Sequence, residues 1–381
     1  MAATFELLIP TAMTKRTPLG VLKATFVLCA LLTAGPLVAA ILTVSNDPNR
    51  PAMYTDVITA HNAANDNDTI FLFGTPSGIM GSGNITKPLY IIGNGYDPNQ
   101  PSLRSRLSIL TLDPSSSGTV LEGLYMARLV VNGTATVRNC EVRFTSGVQS
   151  LITIGTSGQL TATNNLFVRD ENGLSTGFFT IDANTNNTLG QLFHNNVIIF
   201  NNHNGGGNNC IQDVRNGVFS NNVFLSWDAN ESSIMQGGNQ DNVFTNNIFY
   251  NVFTVSSGCN ACGFMNNLVS GCVDCNLITG SQTGSGTILD TPVFVGGYTS
   301  GSWSYTTQDL GLQDLSPGEN AGTDGLDVGL YGGDYPMIPG TAHNQTLSVI
   351  PYITSFNLEN PVIPQLTGGP LQITSGAIIN Q

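Results

Sequence analysis

One phrase recurs through the middle of the chain and limits what it can fold into. Asn139-Cys-Glu-Val-Arg, Asn164-Asn165-Leu-Phe-Val, Asn195-Asn196-Val-Ile-Ile, Asn221-Asn222-Val-Phe-Leu, Asn246-Asn247-Ile-Phe-Tyr and Asn266-Asn267-Leu-Val-Ser are versions of it. Counted on Asn139, Asn165, Asn196, Asn222, Asn247 and Asn267, the steps are 26, 31, 26, 25 and 20 residues. Each phrase holds a short β-branched or aromatic run, which reads as a strand. The Gly, Asn and Ser clusters between phrases read as turns. No helical period survives across these units, so there is no helix to make a crossover. Strands recurring at this interval predict a solenoid of stacked parallel coils. Equivalent residues then lie about 4.8 Å apart. Asn repeated at one turn position passes amide hydrogen bonds up the stack and satisfies turn backbone. The six Asn are therefore read as a structural ladder.

The two ends differ from this middle. Lys15, Arg16 and Lys23 precede an apolar stretch from Ala24 to Ala34, and Val38-Ala39-Ala40 gives a small-residue exit. That order describes a secretory signal peptide over residues 1–40, with Met13 an alternative start. Gly35 and Pro36 keep the run below the ~20 residues a membrane span needs, and no membrane-length run follows. Residues 41–340 form the solenoid. In residues 341–381, four prolines punctuate short apolar strands such as 352–356, which reads as a β-rich appendage. It lacks the Lys that commonly guards edge strands, so it is expected either to cap the last coil or to self-associate with another copy.

Charge excludes some functions. Only 10% of residues are charged and the formal net charge is -13. Loss of residues 1–40 leaves 12 − 3 = 9 basic and 25 − 1 = 24 acidic side chains. A chain this acidic is no nucleic-acid binder, because phosphate neutralisation needs Lys and Arg. Beyond Arg215 there is no basic residue against twelve acidic ones, so that half holds an anionic polymer only through a bridging cation.

The opening segments Asp68-Thr-Ile-Phe-Leu-Phe73 and Ile85-Thr-Lys-Pro-Leu-Tyr-Ile-Ile-Gly93, with Val120-Leu-Glu-Gly-Leu124, resemble the first coils of right-handed parallel β-helix proteins. The closing Asp290-Thr-Pro-Val-Phe294 and the run from Leu315 to Gly333 are similar to their exit segment. The family resembled is the pectate-lyase-like superfamily, in particular secreted members of Bacteroidetes-type bacteria, over roughly residues 42–340. The resemblance implies an all-β, right-handed parallel β-helix and says little of activity. The paired Asp and His-Gly of that superfamily's polygalacturonase-like members is missing, and so is a full calcium-binding acidic cluster of its lyases.

Candidate ligand-binding residues sit in three longer loops, each following its Asn phrase: Asp170 and Glu171, His203, and Trp227, Asp228 and Glu231. A Trp beside carboxylates suits a sugar, whose face stacks on the ring while its hydroxyls donate to the acids. Asp182 and Asp213 each lie 17 residues after a ladder Asn, and so are expected on adjacent rungs. Two carboxylates at that spacing suit a retaining glycosidase pair, a Ca²⁺ site, or a structural pair neutralised by Arg215. Arg143 and Arg169, each four residues beyond an Asn, are expected to stack, with Glu141 as their partner. Cys140 and Cys210 read as small core residues. Cys259, Cys262, Cys272 and Cys275 form two motifs 13 residues apart. Their spacing fits disulfides, a zinc site or free thiols, and export favours disulfides.

The sequence thus predicts a secreted or surface protein that binds a polysaccharide or cell-surface glycan without catalysis. The alternatives are a polysaccharide lyase or glycoside hydrolase using Asp182 and Asp213, and an extracellular filament or matrix subunit.

Overall fold

The computed structural model describes residues 39–75, 78–95, 104–143, 150–169, 179–200, 210–226, 233–272, 274–297 and 309–337. These form a right-handed parallel β-helix. One sheet has eleven strands, running rung by rung from Ile41–Val44 to Thr283–Ser285. A second sheet of fourteen strands divides at the long strand Tyr125–Val131. The first half of that strand pairs with Glu141–Arg143 and the second half with Ile152–Ile154. Two wings follow from the division. Wing one continues through Leu166–Arg169, Val197–Phe200, Val223–Ser226 and Ile248–Tyr250. Wing two continues through Ile181–Ala183, Ile211–Gln212 and Met235–Gln236. Residues 1–38 of the expected segment 1–40, and all of the expected segment 341–381, lie outside the described residues.

Like residues pile up inside the coil because parallel register puts them there. Ala162, Phe193, Phe219, Phe244 and Phe264 are direct rung partners. The rings of Phe193 and Phe219 stack at 5.0 Å, Phe219 and Phe244 at 4.7 Å, and Phe244 and Phe264 at 5.2 Å. Such pairs are worth about 1 kcal/mol beyond the area they bury.

The Asn ladder runs beside this file. Asn165, Asn196, Asn222, Asn247 and Asn267 are all fully buried. The side-chain amide of each of the first four donates to the Oδ1 of the next at 2.9–3.0 Å. Each ladder amide also donates to a strand carbonyl, from Val137 to Phe244, at 2.8–2.9 Å. Every Oδ1 also accepts from the backbone N–H of the residue one rung before, so those of Asn196, Asn222, Asn247 and Asn267 accept two bonds and that of Asn165 accepts one, from Cys140. A buried amide in this arrangement has all its capacity used, which offsets the cost of burial.

Asn139 does not belong to this row. The register sets Glu141 opposite Leu166, so Cys140 stands at the ladder position and its N–H donates to Asn165 Oδ1 at 2.9 Å. Asn139 takes the preceding place, in the left-handed conformation it shares with Asn164, Asn195, Asn221, Asn246 and Asn266. Cys140 and Cys210 are both buried thiols.

Those left-handed Asn explain a second layer. The outer face of wing one is apolar from Leu166 onward, and a return segment within 309–337 covers it with Leu310, Val328, Leu330 and Met337. Asn195 Nδ2 donates to the carbonyls of Leu330 and Gly332, Asn221 Nδ2 to that of Gly329, and Asn266 Nδ2 to that of Ala321. Asn246 exchanges two bonds with Thr323, at 3.0 and 3.1 Å. Gly329 passes so close to the coil that a Cβ there would meet Ile248 Cδ1 at 2.7 Å. In the four Asn-Asn pairs from Asn195-Asn196 to Asn266-Asn267, then, one amide bonds within the ladder and the other bonds the strap.

Among the described residues one α-helix, Val57–Ala63, precedes the second rung, and one 3-10 turn lies at Pro114–Ser116. Asp56 caps its N-terminus by accepting from Ile58 and Thr59, and Lys87 Nζ donates to the carbonyls of His61, Asn62 and Ala64 at its end. Seven residues are too few for a helical period to stand out in the sequence. Among the described residues, no helix is long and apolar enough to cross a membrane.

Candidate functional site

Of the outer faces, that of wing one is largely sealed by the return segment. Wing two instead presents a polar file. Val130, Thr153, Asp182, Gln212 and Gln236 are successive rung partners. Their inward neighbours Ile152, Ile181, Ile211 and Met235 are buried in the core, so alternation along each strand turns the polar residue outward.

Neighbouring side chains fix this file. Arg128 Nε donates to the carbonyl of Ser150 at 3.1 Å, and Nη2 donates to Thr153 Oγ1 at 3.0 Å. Ser150 Oγ donates to Asp182 Oδ2 at 2.8 Å. Burial raises the Asp182 carboxyl above its ordinary range; the Ser150 bond opposes this, the charge of Asp213 adds to it, and Arg128 opposes it. A carboxyl so placed both accepts hydroxyl hydrogen bonds and holds a proton more readily than an exposed one.

The register corrects the expected carboxylate pair. Asp182 faces Gln212 across the rungs. Asp213 is one residue further on, in a left-handed turn with φ 55°, and accepts from Gln212 Nε2 at 2.7 Å. The coil from Asn196 reaches wing two one residue sooner than the coil from Asn165, so counting from the Asn misplaces the second rung. Asp182 and Asp213 therefore form neither a rung-to-rung catalytic pair nor a rung-to-rung Ca²⁺ site. The cation acting on Asp182 is Arg128 rather than Arg215. Among the described residues, no group of three or more His, Cys, Asp or Glu is arranged to hold a metal ion.

Arg143 and Arg169 do not stack either. Arg143 faces Val168 and Arg169 faces Phe200. Glu141 pairs with Arg143, Oε1 to Nε at 2.6 Å. Cys259 is paired with Cys262 and Cys272 with Cys275 as disulfides.

Asp170, Glu171, His203, Trp227, Asp228 and Glu231 lie outside the described residues. Their segments begin after Arg169, Phe200 and Ser226, which are neighbours on consecutive rungs, and each leads into wing two. Sequence reasoning missed Arg128, Ser150, Thr153, Gln212 and Gln236. Counting register from the buried Ile or Met before each polar residue, instead of from the Asn, finds Thr153, Gln212 and Gln236.

No family model matches the chain, and no curated protein matches it. Among solved structures, that of a pectin methylesterase in complex with hexasaccharide VII is similar, with 10% sequence identity and a TM-score of 0.40. The likeness covers 64% of this chain and 92% of that one.

Proposed function

We propose that the protein is exported and binds a polysaccharide along the outer face of wing two without cleaving it. The observation that carries this is the outward file Thr153, Asp182, Gln212 and Gln236, one hydrogen-bonding side chain per rung. A row of this kind offers repeated, evenly spaced donors and acceptors, which suits a polymer of hydroxyl-bearing units. Asp182 has an uncharged amide, not a second carboxylate, as its rung neighbour, which favours binding over two-carboxylate hydrolysis. The two disulfides favour an oxidising, extracellular address.

Retention of the protein on a panel of neutral and uronic polysaccharides tests the reading. Asp182→Asn and Gln212→Ala are expected to lower retention on the bound glycan at least fivefold, with Trp227→Ala testing the adjoining segment. Retention on no glycan, or retention unchanged by both substitutions in wing two, overturns it. A polysaccharide lyase or hydrolase is the second reading, favoured by the raised proton affinity of Asp182. It requires new reducing ends or unsaturated products from the same panel, with or without Ca²⁺.

A further inference from the structure

The eleven-strand sheet carries a file on its outer face that belongs to neither wing. Thr163, His194, Ser220, Thr245 and Met265 are successive rung partners. Each follows a buried core residue, Ala162, Phe193, Phe219, Phe244 or Phe264, so alternation along the strand turns it outward. Within this file His194 and Ser220 are joined side chain to side chain, imidazole Nδ1 to hydroxyl Oγ. Both are half-buried.

The return segment reaches the same two rungs. The residue after His194 is Asn195, whose Nδ2 donates to the carbonyls of Leu330 and Gly332. The residue after Ser220 is Asn221, whose Nδ2 donates to that of Gly329. Gly333 passes so near that a Cβ there would meet Asn221 Oδ1 at 2.5 Å, and its N–H donates to Asp324 Oδ2 at 2.9 Å. Asp334 and Tyr335 follow directly, and the Tyr335 ring packs on the imidazole of His194 at 5.6 Å between centroids. Burial lowers the proton affinity of His194, and the charge of Asp334 opposes this. The ring is therefore neutral at physiological pH, with a carboxylate in electrostatic reach.

His61, by contrast, accepts a backbone N–H and so serves the fold. His194 holds a serine hydroxyl, the contact that turns a weak nucleophile into a reactive one. We propose that Ser220 and His194 are a nucleophile and its general base, and that they hydrolyse short acyl esters, such as acetyl groups carried on sugar hydroxyls. In the Nε2–H tautomer, Ser220 donates to Nδ1. Its Oγ bonds to the acyl carbon as the hydroxyl proton passes to Nδ1. The tetrahedral adduct expels the alcohol, which leaves with that proton, and an acyl-serine remains. Water is the second reactant. It attacks the acyl carbon while Nδ1 takes its proton; the free acid departs as that proton returns to Ser220. Thr245, about 4.8 Å beyond Ser220, supplies the hydroxyl that donates to the developing oxyanion. Asp334 is a positioning residue, since its charge favours the imidazolium formed in each step. No glycosidic bond breaks, so the step is compatible with a polysaccharide held uncleaved. The sugar part of this inference rests on the function proposed above; the esterase part does not.

The test uses the full chain. A fluorophosphonate, which reacts with activated serine hydroxyls, is expected to label Ser220 in the unaltered protein, read by mass spectrometry of its peptides. Acetate release is followed from p-nitrophenyl acetate and from acetylated xylan. Ser220→Ala, and separately His194→Gln, should lower kcat at least about a hundredfold, the usual worth of a general base. Asp334→Asn should lower kcat about tenfold with KM unchanged, as loss of a partly screened charge acting in the transition state does. Release from p-nitrophenyl acetate but not from acetylated xylan upholds the esterase and removes the glycan as its substrate. Ser220 left unlabelled, no release from either ester, or release unchanged in a folded Ser220→Ala protein overturns the inference. An effect of Asp334→Asn on KM alone overturns the part assigned to Asp334.

Discussion

Adjacent asparagines in this chain have separate duties, and single substitutions distinguish them. Asn196 accepts from Asn165 twice, through its backbone N–H and its side-chain amide, and donates to Ala162 and Asn222. Asn196→Ala leaves several of these buried groups without partners, at 1–3 kcal/mol for each by the usual measure, so a loss of about 3 kcal/mol or more is expected. The urea midpoint reports it. Cys140 shows the reverse case. It already stands in the ladder row, donates its N–H to Asn165, and lies 3.4 Å by its sulfur from the Leu124 N–H. Cys140→Asn continues the row by one rung and is expected to change stability by less than about 1 kcal/mol, since Oδ1 replaces the sulfur as acceptor. A loss as large as that of Asn196→Ala would mean that the row cannot be extended past its first rung.

At the scale of elements, the solenoid and its strap are separable. Asn247 holds ladder neighbours, whereas Asn246 holds Thr323 of the strap and also accepts the Gly329 N–H through its carbonyl. Asn246→Ala is expected to cost about 2 kcal/mol and to speed hydrogen exchange within 318–333 while the coil strands stay protected. Asn247→Ala should instead raise exchange in the coil. Identical exchange patterns for the two variants would refute the division of labour. The coil was legible in the sequence because a fixed apolar run followed each Asn, and stacking in register makes such repetition visible. The site was less so. Register on wing two depends on the stretches from Arg169 to Ile181 and from Phe200 to Ile211, which differ by one residue; a single-residue slip exchanges Asp213 for Gln212. The strap was invisible as a partner of wing one because nothing local in Leu166 or Val197 says whether an outward apolar residue meets a neighbour or water.

Across the whole molecule, local interactions set two responses to conditions. Burial lowers the proton affinity of His61 and His194, and His61 Nε2 accepts the Thr86 N–H at 3.0 Å, which a protonated ring cannot do. Their contribution is present above the ordinary His value of about 6.5 and is lost as pH falls through their lowered folded values. Asp182 has the opposite sign. Its raised affinity makes the carboxylate a penalty at neutral pH that is relieved as acid protonates it. Asp182→Asn should therefore melt higher than the parent protein at pH 7, with the gap closing on acidification. A gap independent of pH removes Asp182 as its source. Reduction probes the other response. Each disulfide closes a loop of only four residues, worth about 2 kcal/mol in the chain-entropy account. A solenoid transmits such a loss mainly to nearest-neighbour coils. Reductant is expected to lower the melting temperature by a few degrees and to raise hydrogen exchange within 254–285, leaving the stacked coils of Phe193 and Phe219 protected. Global unfolding on reduction would show that the last coils hold the whole stack in place, and that stability here is not a sum of rung-by-rung contacts.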